Sequence, residues 1–347
     1  MPYLYPLRVY CVYSRFSQTM RFFVFTICCV ATISSASAME TIRIGWVYAM
    51  ANTPVLVAYH NGFFTQAGVE VKLRRFNSGP LLKRALEAGD LDMGYVGMPP
   101  AYQAIAEGAD IKIVAKVNYG QAALITAKNS PIKTLADLKG KKIAGVREGS
   151  GMDVLLKSFV LKEAAKLDAS NDVNILHMPS KMMVASVNMN VVDAAFTWEP
   201  FISFAVLTGR ADVLFDMNKE VPRYPWYVIV ANHKMRTQNR NAMQKILKAH
   251  KRAIAYLNAH TNAGDDLIIE KFKIGSTLHA AHSQVNARDI VLAARGRLGW
   301  DENFTNKDEL FLQRLMNYSH ELGFINKELL VNEVIDRATI NWMRGQF

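Results

Sequence analysis

A helix followed by a strand is predicted at residues 78–96, and the residues at each boundary suit the change of structure. Ser78 is typical of a helix N-cap, and Pro80 suits the first turn, where a backbone N–H has no intrahelical partner. One face of this helix is apolar, formed by Leu81, Leu82, Ala85 and Leu86. Gly89 is typical of a helix C-terminus, and residues 91–96 then form a short apolar strand.

A second helix–strand pair follows at once. Gly97 ends the strand, Pro99 and Pro100 open the helix, and Gly108 closes it before a new strand begins at Ile111. Strands that alternate with helices at this spacing are typical of a mainly parallel sheet covered by helices. The sequence therefore predicts an α/β protein.

The N-terminus is typical of a secretory signal. Arg21 precedes the apolar residues 22–33, and residues 36–38 (Ala-Ser-Ala) form a small-residue cleavage site. Twelve apolar residues are fewer than the about 20 that span a bilayer, so we expect a signal peptide at residues 1–38 rather than a retained anchor helix. Met20 would be the better start, and the cleaved product is expected to be soluble.

Composition excludes several classes of protein. Cys11, Cys28 and Cys29 all precede the cleavage point, so a disulfide framework, a thiol nucleophile and a thiolate metal site are excluded from the remaining 309 residues. Three of the 41 basic residues also lie in the signal, which leaves 38 against 30 acidic residues, a net charge of +8. That charge would attract anionic solutes modestly.

Neither nucleic-acid binding nor a metal site is expected. Lys245, Lys248, Lys251 and Arg252 share an amphipathic helix and are interpreted as its solvated face, since no aromatic interleaving or known module accompanies them. His279 and His282 have a spacing that two metal ligands could use, but no carboxylates support them. No cofactor is predicted.

The motifs resemble those of a known family. They are Phe-Asn-Ser-Gly at 76–79, Ala-Leu-x-x-Gly-Asp-x-Asp-x-Gly at 85–94, Gly-x-x-Pro at 97–100, Ala-x-x-x-Gly at 104–108, Asp-Leu-Lys-Gly-Lys-Lys-Ile at 137–143 and Trp-Glu-Pro at 198–200. The chain is similar over residues 41–345 to periplasmic substrate-binding proteins of ABC importers for taurine, alkanesulfonates, nitrate and thiamine precursors.

This resemblance implies a two-lobed periplasmic binding protein fold of type II. Each lobe would hold a mainly parallel sheet with flanking helices, and the ligand would lie in the cleft between the lobes. Lobe one is expected at residues 40–120 plus 232–347, and lobe two at residues 121–231.

Four loops that enter helices are candidates for the ligand site, because ligands in such sheets lie beyond the carboxyl ends of the strands. In the first loop, Tyr48 could wall a pocket or pack in the core, and Asn52 and Thr53 could bind an anion or cap the following helix. In the second loop, Ser78 could contact the ligand or serve only as an N-cap.

The third loop holds Gly97 and Met98. Sulfonate binders of the family often carry a hydroxyl residue directly after this glycine, whereas Met98 has no donor. Anion recognition here would rest on the backbone of the two residues. This difference argues against a small ionic ligand such as nitrate and favours a ligand with an apolar body.

The fourth loop, residues 147–153, places Ser150 between two glycines just before a helix, so that successive N–H groups can turn toward one anion. The family's matching loop contacts the acidic group of the ligand, which makes Ser150 and Gly151 candidates. A nucleophilic serine is the rival interpretation, but Gly-Ser-Gly is not the nucleophile-elbow pattern, and no histidine lies nearby in the sequence.

Three further candidates lie farther along the chain. Trp198 and Trp226 offer flat apolar faces, and packing in the core is the alternative for Trp226. Glu199 could receive an ammonium group of a zwitterion, lie at the surface or form a salt bridge between the lobes.

The resemblance implies a non-enzymatic receptor, soluble in the periplasm and monomeric. It would capture a taurine- or alkanesulfonate-type anion or zwitterion and deliver it to an inner-membrane ABC permease and its ATPase. Two alternatives are a binding protein for a thiamine-precursor pyrimidine or nitrate and an enzyme similar to thiamine-pyrimidine synthases. Those enzymes use a cysteine-rich motif that residues 39–347 lack.

Overall fold

The computed structural model describes residues 41–277 and 285–345. The predicted signal peptide and start at Met20, as well as His279 and His282, lie outside these residues. Within the described residues, no helix has the length and apolar character needed to cross a membrane.

Twelve strands are present in the described residues: β1 (Thr41–Val47), β2 (Glu70–Phe76), β3 (Met93–Gly97), β4 (Ile111–Lys116), β5 (Asn118–Gly120), β6 (Ala122–Ala127), β7 (Lys142–Gly145), β8 (Asn174–His177), β9 (Ala194–Trp198), β10 (Ala211–Asp216), β11 (Tyr227–Asn232) and β12 (Leu298–Trp300).

The described helices are α1 (Thr53–His60), α2 (Phe63–Gln66), α3 (Gly79–Glu87), α4 (Met98–Ala106), α5 (Gly151–Leu155), α6 (Ser180–Asn188), α7 (Phe201–Leu207), α8 (Met217–Glu220), α9 (His233–Thr237), α10 (Arg240–Ala259), α11 (Thr261–Phe272), α12 (Ile274–Thr277), α13 (Ala287–Ala294), α14 (Asn306–Glu321), α15 (Val331–Val334) and α16 (Arg337–Arg344). Short 3₁₀ turns cover Met50–Asn52 and Leu135–Leu138, and a π-helical segment, Leu156–Ala165, continues α5.

The strands form two five-stranded sheets, ordered β2-β1-β3-β11-β4 and β10-β6-β9-β7-β8. In the first sheet only β11 runs against the other strands, and in the second only β6 does. Both sheets are therefore mainly parallel, as predicted. The two reversed strands are the first strand of the second sheet and the one that returns the chain to the first sheet.

The return to the first sheet occurs earlier than the sequence suggested. The predicted division placed residues up to 231 in lobe two, but β11 pairs with β3 and β4 of the first sheet. Strand β11 fits there because Val228 and Val230 are fully buried between the helix layers. A separate two-stranded sheet joins β12 to β5 at the crossing between the lobes.

Helices cover both faces of the first sheet, because successive side chains on a strand point to opposite faces. Tyr95 on β3 is fully buried in the cluster that contains Ile246 of α10. Its neighbour Val96 belongs to the opposite cluster, with Leu315 of α14. This two-sided core fixes the strand ends where the loops begin.

Candidate functional site

A cavity of about 690 Å³ lies at the carboxyl ends of strands from both sheets. The last residues of β1, β3, β8 and β9 line it, namely Val47, Gly97, His177 and Trp198. Residues that directly follow β2 and β7, Asn77 and Val146, complete the ring. The cavity therefore occupies the position where open α/β sheets bind ligands.

Four helices begin at this cavity. Their N-cap residues line it: Ser78 before α3, Gly97 before α4, Ser150 before α5 and Pro179 before α6. The first turn of a helix carries N–H groups without intrahelical partners and a partial positive charge of up to about half an elementary charge. At α4 these groups are not available, because the Met98 N–H donates to the Trp226 carbonyl and Pro99 and Pro100 have no N–H. The starts of α3, α5 and α6 favour an anionic ligand.

The two serines differ in what they already bind. Ser78 occupies the N-cap position of α3 without a side-chain capping hydrogen bond. Ser150 caps α5, and its Oγ accepts a hydrogen bond of 3.3 Å from the Asp153 N–H. Because that bond uses Ser150 as an acceptor, its hydroxyl proton is still free to reach a ligand.

Charged side chains add to the positive field. Arg147 lines the cavity and is exposed, and its side chain forms no hydrogen bond or ion pair within residues 41–277 and 285–345. Glu148, which also lines the cavity, is already paired with Lys157 at 3.2 Å. Arg147 is therefore the cation best placed to meet an anionic group in the cavity.

The remaining wall is largely apolar. It is built from Val47, Tyr48, Pro100, Val146, Met152, Met178, Trp198, Trp226 and Tyr227. Tyr48 donates a 3.0 Å hydrogen bond to the Lys271 carbonyl, and burial raises the pKa of its phenol, so the ring presents a neutral face. A ligand with an apolar body matches this wall.

Gln121 lies where the chain crosses into the second lobe, and it lines the cavity. Its φ of 114° is unusual for a residue with a side chain. Its Oε1 is buried and has no hydrogen-bond partner among the described residues. The carbonyl can therefore accept a hydrogen bond from a polar group in the cavity.

Asn52 and Thr53 do not line the cavity, although the sequence nominated them. Both are fully buried. Asn52 donates to the Val47 carbonyl at 2.8 Å, and Thr53 donates to the Met50 carbonyl at 2.6 Å. These bonds stabilise the turn after β1. Neither side chain caps α1, since Asn52 is its N-cap residue but makes no side-chain capping bond.

Met98 and Glu199 also lie away from the cavity. The Met98 side chain is fully buried in the core, and its N–H donates to the Trp226 carbonyl at 3.0 Å. Glu199 is 1% exposed and accepts bonds from Arg297 (3.1 Å) and the Ser203 N–H (3.1 Å). Burial raises the pKa of Glu199 although Arg297 opposes that change.

The structure thus brings together Tyr48, Ser78, Gly97, Ser150, Gly151, Trp198 and Trp226 from the candidates in the sequence. Sequence reasoning missed Arg147, His177, Gln121, Met152 and Met178 as wall residues. Arg147 and Met152 lie in the fourth candidate loop, and His177 ends strand β8. Arg147, Met152 and His177 could have been identified because they lie at strand ends or in the loops that follow strands. Gln121 could not, because its position depends on how the chain crosses between the lobes.

The described residues hold no group of three or more His, Cys, Asp and Glu side chains arranged for a metal ion. The arrangement in the cavity is suited to binding: helix starts and one free guanidinium for an anion, and aromatic and thioether side chains for an apolar body.

Known proteins share this sequence pattern and architecture. A model of the NMT1-like family matches residues 35–268. A candidate binding protein of Brucella abortus is 29% identical over 242 residues, which are 67% of this chain and 72% of that protein. A candidate aliphatic sulfonates-binding protein of Escherichia coli is 31% identical over 188 residues, 53% of this chain and 57% of that protein.

Among solved structures, the periplasmic aliphatic sulphonate binding protein SsuA of Escherichia coli superposes with a TM-score of 0.73 at 23% identity, covering 85% of this chain and 92% of that chain. This likeness confirms the predicted two-lobed periplasmic binding protein fold. The family match covers more than half of the sequence and agrees with the resemblance carried by the motifs. The chain belongs to the NMT1-like family.

Proposed function

We propose that this protein is the periplasmic solute-binding component of an ABC importer. It captures a small sulfonate-type anion with an apolar body, of the alkanesulfonate or taurine kind, and delivers it to a membrane permease and its ATPase. The observation that carries the proposal is the meeting of three helix starts, those of α3, α5 and α6, and the free Arg147 side chain with an apolar wall in one cavity.

The size and the polarity of the cavity favour this ligand class over nitrate. A space of about 690 Å³ is in the range of sites that enclose drug-sized molecules. Nitrate would leave Trp198, Trp226 and the two methionines without contact. The names of relatives that bind aliphatic sulfonates support the same choice.

A receptor fits the site better than an enzyme does. The Ser150 hydroxyl lies at the start of α5, and it accepts a hydrogen bond from the Asp153 N–H instead of donating one to a base. Lobe closure over the ligand is the expected conformational step, with hinge motion at the two reversed strands.

The proposal is tested by calorimetry and thermal unfolding of residues 39–347 in sulfonate-free buffer. The ligands are butane-1-sulfonate, taurine, nitrate and an aminopyrimidine. We expect butane-1-sulfonate to bind and, at about 100 times its dissociation constant, to stabilise the fold by roughly 2.7 kcal/mol.

Arg147→Gln should weaken butane-1-sulfonate about tenfold, because a charge-assisted contact is lost while the exposed side chain contributes little to folding. Arg288→Gln, which removes an exposed cation paired with Asp266, is the control and should bind normally. Stabilisation by nitrate or the pyrimidine alone, or equal affinities in the two variants, would contradict the proposed ligand class.

A further inference from the structure

His177 stands between the cavity and a buried carboxylate. It is the last residue of β8, it is exposed, and it lines the cavity. Its Nε2 lies 3.7 Å from Oδ1 of Asp153, a residue of α5 with no exposed surface. The imidazole is thereby positioned to respond to charge on both of its sides.

The two carboxylate oxygens of Asp153 differ in their hydrogen-bond partners. Oδ2 accepts from the Gly149 N–H at 3.0 Å and lies 3.0 Å from Nζ of Lys157. Oδ1 is buried and has no hydrogen-bond partner among the described residues. A buried acceptor without a donor costs about 1–3 kcal/mol, and an Nε2–H of His177 is the group in place to donate. The neutral ring can supply that one donor, whereas only the protonated ring has a second donor at Nδ1.

In the empty protein, Lys157 already balances the charge of Asp153, and Arg147 at the same wall opposes a second cation. A bound anion changes this balance. It offsets Arg147 and places a second negative charge beside the imidazole, opposite Asp153. Both changes favour the protonated ring, which can then donate to the ligand and to Oδ1.

We propose, on the basis of the proposed function, that His177 and Asp153 form a proton-linked arm of the binding site, so that capture of an anion is coupled to uptake of a proton by His177. No covalent step is involved: the proton comes from solvent and returns there on release. Affinity for a permanently charged anion therefore rises as the pH falls.

Other charged residues on the elements around His177 could contribute to the proton uptake. α5 supplies Asp153 and Lys157, and the loop before it supplies Arg147 and Glu148. Strand β7 places Gly145 opposite His177, and α6 carries the exposed Lys181 in its first turn. Histidine is the side chain whose charge ordinarily changes between about pH 5 and pH 8.

The test is calorimetry with butane-1-sulfonate, which remains an anion throughout, in cacodylate and in bis-Tris, two sulfonate-free buffers with different ionisation enthalpies. We expect uptake of about half a proton per ligand near neutral pH, and a dissociation constant that rises roughly fivefold to tenfold from about pH 5.5 to about pH 8. His177→Asn should abolish both effects and bind the ligand more weakly than the wild type at about pH 5.5.

His233→Asn is the matched control, since His233 also contacts a carboxylate, with 2.9 Å to Asp110, and does not line the cavity. It should keep the full proton uptake. Binding without proton uptake, or uptake that persists in His177→Asn, overturns the inference and leaves the proposed function intact. Failure of the wild-type protein to bind any sulfonate would overturn both.

Discussion

At Gly151 the second lobe meets the first with no room for a side chain. A Cβ there would lie 2.8 Å from Cγ of Pro99 and 2.8 Å from Cη2 of Trp226, closer than real Cβ contacts come. Pro99 belongs to α4 of lobe one, and Trp226 walls the cavity. A glycine at this position therefore sets how near α5 approaches the ligand and the opposite lobe.

Gly151→Ala should weaken ligand binding about tenfold or more, because the added methyl group displaces Trp226 or holds α5 away from α4. The measurement is calorimetric affinity for butane-1-sulfonate, with circular dichroism to verify folding. Gly345→Ala is the control: its Cβ would meet neighbours at 3.7 Å, an ordinary contact distance. Equal affinities in the two variants would show that the close contact is dispensable.

Sequence reasoning identified individual residues best where local chemistry decides their place. Ser150 and Gly151 were nominated from a helix-start loop, and the structure places both on the cavity. Met98 and Glu199 were nominated from loops too, but their side chains turn inward. Met98 fills the core and Glu199 meets Arg297, a residue about one hundred positions away whose approach no local pattern could reveal.

Elements with strong local signals were predicted closely. Helix α3 was expected to follow Ser78 and spans Gly79–Glu87, and the strand expected at residues 91–96 is β3, which spans Met93–Gly97. The helix expected after the fourth loop begins within it, at Gly151, and becomes π-helical from Leu156 to Ala165. The pairing of β12 with β5 joins distant residues and carries no periodic pattern that could predict it.

Helix α10 is bound to the first sheet through His250. Its Nδ1 lies 3.3 Å from the Tyr95 hydroxyl, and its Nε2 lies 3.1 Å from the Lys116 carbonyl. These partners suit the neutral ring, with Nε2–H donating to the carbonyl and Nδ1 accepting from the phenol. Burial lowers the pKa of His250 to about 4.

This lowered pKa makes the docking of α10 sensitive to acid. An exposed imidazole has a pKa of about 6.5, so between about pH 6.5 and pH 4 the unfolded chain binds a proton here that the folded chain refuses. The stability contributed by the neutral ring is present above that window and lost as the pH falls through it. The total is about 3 kcal/mol.

Urea unfolding of the wild type and of His250→Gln at about pH 7 and about pH 4.5 measures this effect. The wild type should have a higher free energy of unfolding than the variant, and this difference should be smaller by about 2 kcal/mol at the lower pH. His233→Asn serves as the exposed control and should follow the wild type. An advantage that stays constant with pH would rule out His250 as the acid-sensitive group.

At the scale of the whole molecule, Arg297 joins the two lobes beside the crossing strands. It directly precedes β12, which pairs with β5, and its guanidinium reaches Glu199 at 3.1 Å and Asp216 at 3.0 Å, both in the second lobe. Asn218 in α8 also donates to the Arg297 carbonyl. Arg297 thus connects the residue after β9 and the start of α8 to the β5–β12 sheet between the lobes.

Arg297→Gln should destabilise the protein by about 3 kcal/mol or more, since it leaves the buried Glu199 and the largely buried Asp216 without their cation. The midpoint of urea unfolding measures the loss. Arg288→Gln removes an exposed pair and should change stability by less than about 1 kcal/mol. Similar losses of stability in both variants would show that burial does not strengthen the Arg297 contacts.

Strand β11 lies between β3 and β4 in the first sheet, yet it comes after the whole second lobe in the chain. Synthesis proceeds from the N-terminus, so β3 and β4 emerge long before the strand that separates them. The first lobe cannot close its sheet until Asn232 has appeared. Until then the edges of β3 and β4 that β11 will cover stay unpaired, which keeps the nascent chain open to chaperones.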